Sequence, residues 1–360
     1  MSKVLLAIGT EKGAFFLTSD QKREHWEIMG PQLRGWKVGH VMLDQRSAPK
    51  MFACTGSYVY GPTLNVSDDF GKTWRQIENG PAYADDAPGK LTATWCVAAG
   101  HADEPETFYA GVADAGIFVS RDGGQHWREL KGLSEHPTRA EWSPGLGGLC
   151  CHTILQHPGN KKRLWVAISA VGVFRSDDGG GTWQVKNEGL TIIIEGKTHK
   201  NIGSCVHRLV LDQQNPDHLY QQNHRGVFRS RNGGDSWERI ENGLATNFGF
   251  PMVMDSRDSK TLFIVPQESD EFRFPKDGRL SVCRSTDGGD SWQTLRNGLP
   301  DHAYTGVMRQ AMAVDSLDDC GVYFGASGGQ VYYSRNNGEN WQTMPFLLPR
   351  INSVSVSILD

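Results

Sequence analysis

The 360-residue sequence predicts an all-β fold assembled from repeated units of roughly 50 residues. Three observations carry that reading. An eight-residue box of pattern S-x-[DN]-x-G-x-x-W occurs six times. Short alternating apolar runs, punctuated by Gly and Pro, fill the intervals between boxes. The composition is rich in turn formers and large apolar plugs, with 42 Gly and 11 Trp.

Bulk properties exclude several classes. A net charge of −4 with no Lys/Arg-rich run leaves no electrostatic footprint for nucleic acid. No apolar stretch approaches the ~20 residues that span a bilayer, so no membrane segment is expected. The start, "MSKVLLAIGT", has an apolar run shorter than the ~7–15 residues of a signal-peptide core and reads as a strand. The seven cysteines, Cys54, Cys96, Cys150, Cys151, Cys205, Cys283 and Cys320, are odd in number and lack a C-x-x-C. They read as free, mostly buried thiols, which suits a reducing cytoplasm. Length alone suggests two domains, but one large closed all-β domain over 1–360 accommodates the repeats better.

The boxes are "SDDFGKTW" (67–74), "SRDGGQHW" (120–127), "SDDGGGTW" (176–183), "SRNGGDSW" (230–237), "STDGGDSW" (285–292) and "SRNNGENW" (334–341). "TSDQKREHW" (18–26) is a worn copy without the Gly. Successive box tryptophans lie 48 to 56 residues apart. The acid or amide, Asp69, Asp122, Asp178, Asn232, Asp287 or Asn336, can accept backbone N–H bonds within its own turn. The Gly can take a positive φ, and the Ser can bond the loop locally. Asn in two copies keeps the acceptor and drops the charge. A turn tolerates that and a cation site does not, so the boxes read as structural.

This pattern resembles the Asp-box, or BNR, repeat of sialidases and related β-propellers, and the resemblance covers the whole chain. It implies four-stranded blades with the box between the third and fourth strands. Taken in order, "KVLLAIG", "GAFFLTS" and "HWEIMG" are second, third and fourth strands without a first. Inner strands then fall near 37–44, 93–99, "CCHTILQHP", "CVHRLVLD", 250–255 and 308–315. In the third complete blade "RLWVAISA", "GVFRS" and "TWQVKN" follow; in the fourth "HLYQQN", "GVFRS" and "SWERIE". "INSVSVSIL" is an inner strand without followers. Six complete units plus a seventh shared between 1–30 and 350–360 give a seven-bladed β-propeller, its ring closed by the C-terminal strand.

In such a blade the box turns and the first-to-second-strand turns share one face. Length varies on the other face, in 81–93, 134–148, 191–203 and 266–281, so ligand chemistry is expected there. His152 and His207 hold one register on neighbouring inner strands. Gln310 holds it two blades on, beside Arg309. His40 is one residue off, near Trp36 and Lys37. Strand connections on that face add His224, Arg225, Glu268, Asp270 and Glu271. The expected catalytic set at the channel mouth is His152, His207, Glu268 and Arg309. Trp36, Lys37, His40, His224, Arg225 and Gln310 are expected to bind ligand. His152, His207 and His224 form a candidate divalent-metal set, since neutral imidazoles suit zinc or iron. Trp95, Trp142, Tyr58, Tyr60 and Tyr304 offer flat surfaces of the kind sugar clefts use, although Trp-rich chains bury most of their indoles and each taken singly reads first as packing. Glu11, Asp114, Glu141, Glu268 and Glu271 are the carboxylates available for acid–base hydrolysis.

Sialidase catalysis is not expected, because the early Arg-Ile-Pro motif of that family is missing and "FRFP" (272–275) comes far too late. The chain is also similar to the seven-bladed modules of xyloglucan-active glycosidases and to the single-propeller photosystem II assembly factor. It also resembles uncharacterised bacterial Asp-box proteins labelled glycosyl hydrolase-like. These resemblances imply a carbohydrate-active or related small-ligand enzyme, or else a non-catalytic scaffold with a protein partner.

Overall fold

A computed structural model describes residues 2–87, 89–190, 192–194, 197–199 and 201–359. The chain divides into two compact units, one of Met1–Val38, Tyr220–Arg229 and Arg239–Asp360, the other of Gly39–Leu219 and Ser230–Glu238. Apart from single-turn helical segments at Lys131–Ser134, Arg139–Glu141 and Lys276–Gly278, the regular elements are strands.

The Gly39–Leu219 unit holds antiparallel sheets in sequential order. Ala93–Ala99, Phe108–Ala113, Gly116–Ser120 and Arg128–Glu129 form one, and Cys151–Gln156, Leu164–Ile168, Gly172–Ser176 and Gln184–Val185 another. Lys50–Ser57, Gly61–Ser67 and Arg75–Gln76 pair in the same sequence. The middle strands are apolar on both faces. Leu164–Ile168 ("LWVAI") is buried throughout, as a strand covered on two sides requires. The expected outer strands are shorter than the sequence suggests. Gln184–Val185 has two residues, because the box turn consumes the residues before it and the exit turn those after it.

In the other unit Phe248–Met254, Leu262–Gln267, Val282–Ser285 and Gln293–Leu295 form a four-stranded sheet. An eight-stranded sheet joins Val307–Val314, Val322–Ala326, Gln330–Ser334 and Gln342–Leu347 to a second set of four. That second set contains both ends of the chain. Ile351–Leu359 pairs antiparallel with Lys3–Thr10, from Lys3↔Leu359 to Gly9↔Ser353, and Gly13–Asp20 and Glu27–Gln32 follow. The two halves touch through a parallel pair, Gln310↔Ser353.

The boxes are self-satisfied turns. Each Ser hydroxyl donates to its acid or amide, as in Ser176 Oγ to Asp178 Oδ1 at 2.8 Å, and accepts the box Gly N–H, here Gly180 at 2.8 Å. Oδ1 also accepts the N–H of Thr182 at 2.9 Å. Asn232 does the same with Ser230, at 2.9 Å, and the Ser236 N–H, at 2.9 Å. Gly180 stands at φ +91°, where a side chain is strained. The box Trp then clips neighbouring sheets. Trp237 N–H reaches Glu188 O at 2.9 Å, Trp292 N–H reaches Asn242 O at 2.9 Å, and Trp341 N–H reaches Asn297 O at 2.8 Å. In the worn copy Asp20 Oδ1 still accepts the N–H groups of Lys22 and Arg23, while Arg23 takes the positive φ at +56°.

The cysteines are free thiols, six buried and Cys205 half-buried. Trp142 takes the packing reading open to every indole of a Trp-rich chain: it is 8% exposed, packed on Phe174 and His136 and bonded through Nε1 to Thr138, so it is core to its loop. The expected long loop 191–203 lies partly outside the described residues. Among those described, Ile192–Ile194 pairs with Lys197–His199.

Candidate functional site

The residues that come together best lie within the unit containing both chain ends. Segment 268–281 connects the second and third strands of its sheet, at the end opposite the box 285–292, and so stands where loop variation was expected to place chemistry. The start of Phe248–Met254 pairs with the end of Leu262–Gln267, Phe248 opposite Gln267 and Gly249 opposite Pro266. The Gln267 side chain bonds the Val307 backbone, which brings up the strand carrying Arg309 and Gln310.

His224 and Asp270 meet here, Nε2 to Oδ2 at 2.9 Å. The imidazole is half-buried with its ring edge-on to Phe248 at 5.3 Å. The bond from His224 holds the Asp270 carboxyl below its usual range, against a smaller opposing effect of burial. Asp270 is therefore an anion at neutral pH, fit to orient the imidazole or to act as a base. Phe250, packed edge-on to Phe248 at 5.3 Å, lies beneath two guanidinium groups, Arg273 at 5.6 Å and Arg309 at 5.9 Å. Arg273 is fixed by its own Nε donating to Asp270 O at 3.0 Å. Outside them lies an aromatic face of Phe272, Phe274 and Tyr304, with centroid distances of 6.0 and 5.5 Å. Phe272 and Tyr304 are exposed.

The structure sorts the remaining expected residues. Glu268, Glu271 and Arg225 are exposed; Arg309 and Gln310 are buried. Glu268 is anchored by its N–H to Phe274 O at 2.8 Å. Lys37 pairs with Glu11 at 3.1 Å, next to a half-buried Trp36. Asp114 is half-buried and Glu141 exposed. In the Gly39–Leu219 unit, Trp95 is half-buried, while Tyr58 and Tyr60 are exposed at a hairpin tip. His207 is 2% exposed on Val206–Leu211.

His152 corrects the catalytic and metal expectations. It is fully buried, and its Nε2 lies 2.9 Å from the Val206 carbonyl while Nδ1 lies 3.0 Å from Thr153 Oγ1. A carbonyl only accepts, so Nε2 carries the proton and Nδ1 accepts from the hydroxyl. No lone pair remains for a metal or a substrate proton. His152 cross-links neighbouring inner strands. His152 therefore drops out of the expected metal set.

Sequence reasoning missed Phe248, Phe250 and Arg273. For Arg273 the signal was present in "FRFP", which sets a guanidinium between two aromatic residues, Phe272 and Phe274.

With this geometry in view, the comparisons fall into place. The BNR/Asp-box repeat family matches residues 332–343. The chain carries the Asp-box repeat. It is 24% identical over 206 residues to an oligoxyloglucan-reducing end-specific xyloglucanase of Emericella nidulans, covering 55% of this chain and 24% of that protein. It is 25% identical over 255 residues to xyloglucanase Xgh74A of Acetivibrio thermocellus, covering 62% and 28%. The chain thus spans about a quarter of the length of these curated relatives. Among solved structures it is similar to an ancestral GH74 enzyme, with TM-score 0.58, 20% identity, and coverage of 85% of this chain and 38% of that one. It is also similar to YCF48 bound to a D1 peptide, with TM-score 0.54, 15% identity, and coverage of 87% and 86%. These structural likenesses support the β-propeller fold; function must come from the site.

Proposed function

We propose that the chain is a single seven-bladed Asp-box propeller, carbohydrate-active and glycosyl hydrolase-like, that takes a glycan on the surface of segment 268–281. The blade count is supported by the sheet that the two chain ends share and by six boxes, each with its own turn. The observation that carries the function is the His224–Asp270 pair at 2.9 Å beside an exposed aromatic face. A ring such as Tyr304 offers a flat surface to a sugar. Arg273 supplies fixed donors for hydroxyl groups. The carboxylate-oriented imidazole provides a proton-transfer group. The relatives named xyloglucanases support a glycan as the ligand class. Free cysteines support a cytoplasmic location.

A second reading is a non-catalytic peptide-binding scaffold. It is favoured by the hairpin tip of Tyr58, Val59 and Tyr60, exposed to 108%, 80% and 75%. A panel of fluorogenic glycosides and a glycan array separate the two. Turnover or glycan binding that falls at least tenfold in D270N and H224A supports the first reading. Failure to bind any glycan, with peptide capture lost on Tyr58→Ser and Tyr60→Ser substitution, replaces it with the second.

A further inference from the structure

The Gly39–Leu219 unit contains a cation that no ion pair among the described residues neutralises. Arg208 lies in the middle of Val206–Leu211, is half-buried, and has its Nε sealed from solvent without a hydrogen-bond partner. Among the described residues its guanidinium has no ion pair; other arginines on this chain at comparable burial do, such as Arg175 with Asp235 at 3.0 Å. Its charge acts on two neighbours, the His40 imidazole and the Cys96 thiol. Neither is an anion. Burial pushes Cys96 up to about 12, and burial together with Arg208 pushes His40 down to about 3.

His40 has a defined tautomer. Its Nδ1 accepts the Val97 N–H at 3.4 Å, so the proton of the neutral ring is on Nε2. The Arg208 guanidinium, with no ion pair among the described residues, and the Nε2–H of His40 are thus both donors, and His40 is close enough to feel the Arg208 charge. Half-burying a guanidinium without a counter-charge is costly, and the cost is recovered when a carboxylate docks on it in a two-pronged geometry.

We propose that Arg208, with His40, forms a binding site for a monoanionic carboxylate, either a small free acid or the carboxylate of a uronic-acid sugar. One positive charge matches one carboxylate, whereas the phosphate dianion would leave a buried negative charge. The site lies on residues separate from His224 and Asp270, so it stands or falls independently of the glycan reading.

Calorimetric titration of the intact protein at low ionic strength with acetate, glucuronate, glucose and inorganic phosphate tests it. Saturable millimolar-range binding of acetate and glucuronate is expected. The affinity should fall at least tenfold in R208Q and a few-fold in H40L, and glucose should not compete. Equal affinities for acetate and glucuronate identify a free acid as sufficient, and a clear preference for glucuronate identifies a sugar. Phosphate binding without carboxylate binding, or carboxylate binding unchanged in R208Q, overturns the proposal. Melting of R208M supplies a folding control. An unchanged or raised Tm is expected, because the substitution removes an unpaired charge; a large fall shows that the protein itself holds Arg208 and also overturns it.

Discussion

Replacing Asp287 separates the acceptor role of a box from its charge. Asp287 Oδ1 accepts Ser285 Oγ at 2.7 Å and Ser291 N–H at 2.9 Å, and Oδ2 accepts Ser291 Oγ at 2.6 Å. Ala removes all three. At about 1 kcal/mol each, discounted for an exposed carboxylate, the loss is about 2 kcal/mol. With an unfolding entropy of roughly 2.1 cal/mol/K per residue, that lowers Tm by about 3 °C. Asn keeps Oδ1 and can donate from Nδ2 to Ser291, as Asn232 Nδ2 donates to Ser236 Oγ at 2.9 Å. D287N should therefore cost under about 1 kcal/mol. The carboxyl is held down to about 2: burial pulls it up, but the bonds from Ser291 and Ser285 outweigh that. A depressed carboxyl stabilises above its unfolded value near 4, and that contribution disappears as pH falls through about 2. The wild-type advantage over D287N should accordingly vanish between about pH 4 and pH 2. Thermal melts across that range decide the matter. D287N as damaged as D287A at pH 7, or a Tm raised by calcium in wild type alone, would refute the turn reading and restore a cation site.

Three further outcomes follow from the packing. Arg23 is buried against Asp315 at 3.0 Å, where Tyr323 also donates to the carboxylate at 2.7 Å; R23A leaves that charge unpaired and should cost about 3 kcal/mol by denaturant melts, with partial recovery in R23M/D315N. Gly243 has φ +94°, and a Cβ there meets the Trp292 carbonyl, so G243A should cost about 2–4 kcal/mol, while the same change at Gly35, at φ +83° but in open space, should cost only the backbone strain of about 1–2 kcal/mol. Deleting 351–360 removes the partner of Lys3–Thr10 along its whole length and should abolish a single cooperative melt; an unchanged Tm would contradict the pairing of the two ends.

Much of this fold was legible because its determinants are local. A box needs one acceptor, one hydroxyl, one Gly and one Trp within eight residues, and "GVFRS" and "RLWVAISA" declare strands by alternation and apolar runs. The inner strands near 37–44, 93–99 and 308–315 are present as Lys37–Asp44, Ala93–Ala99 and Val307–Val314. The site was legible as far as register allows. His224 and Asp270 were placed on the right connections. Their bond, and the stacking of Arg273 and Arg309 on Phe250, depend on side-chain reach between distant segments. The same limit misread His152, whose register fits a ligand but whose two nitrogens are spent on Val206 and Thr153. Trp142 is packing because a long loop can carry its own small core. The exit Gly packed under the next Trp, as at Gly189, Gly243 and Gly298, recurs in "EGL" and "NGL" and was overlooked beside the louder box.

The central claim is that ligand chemistry belongs to segment 268–281 and that the boxes are structural. One binding and turnover measurement over the glycoside panel, on wild type, H224A and D287N at matched folded concentration, tests it most directly. The account predicts at least a tenfold loss in H224A and wild-type behaviour in D287N. Loss in D287N with H224A unaffected would contradict it.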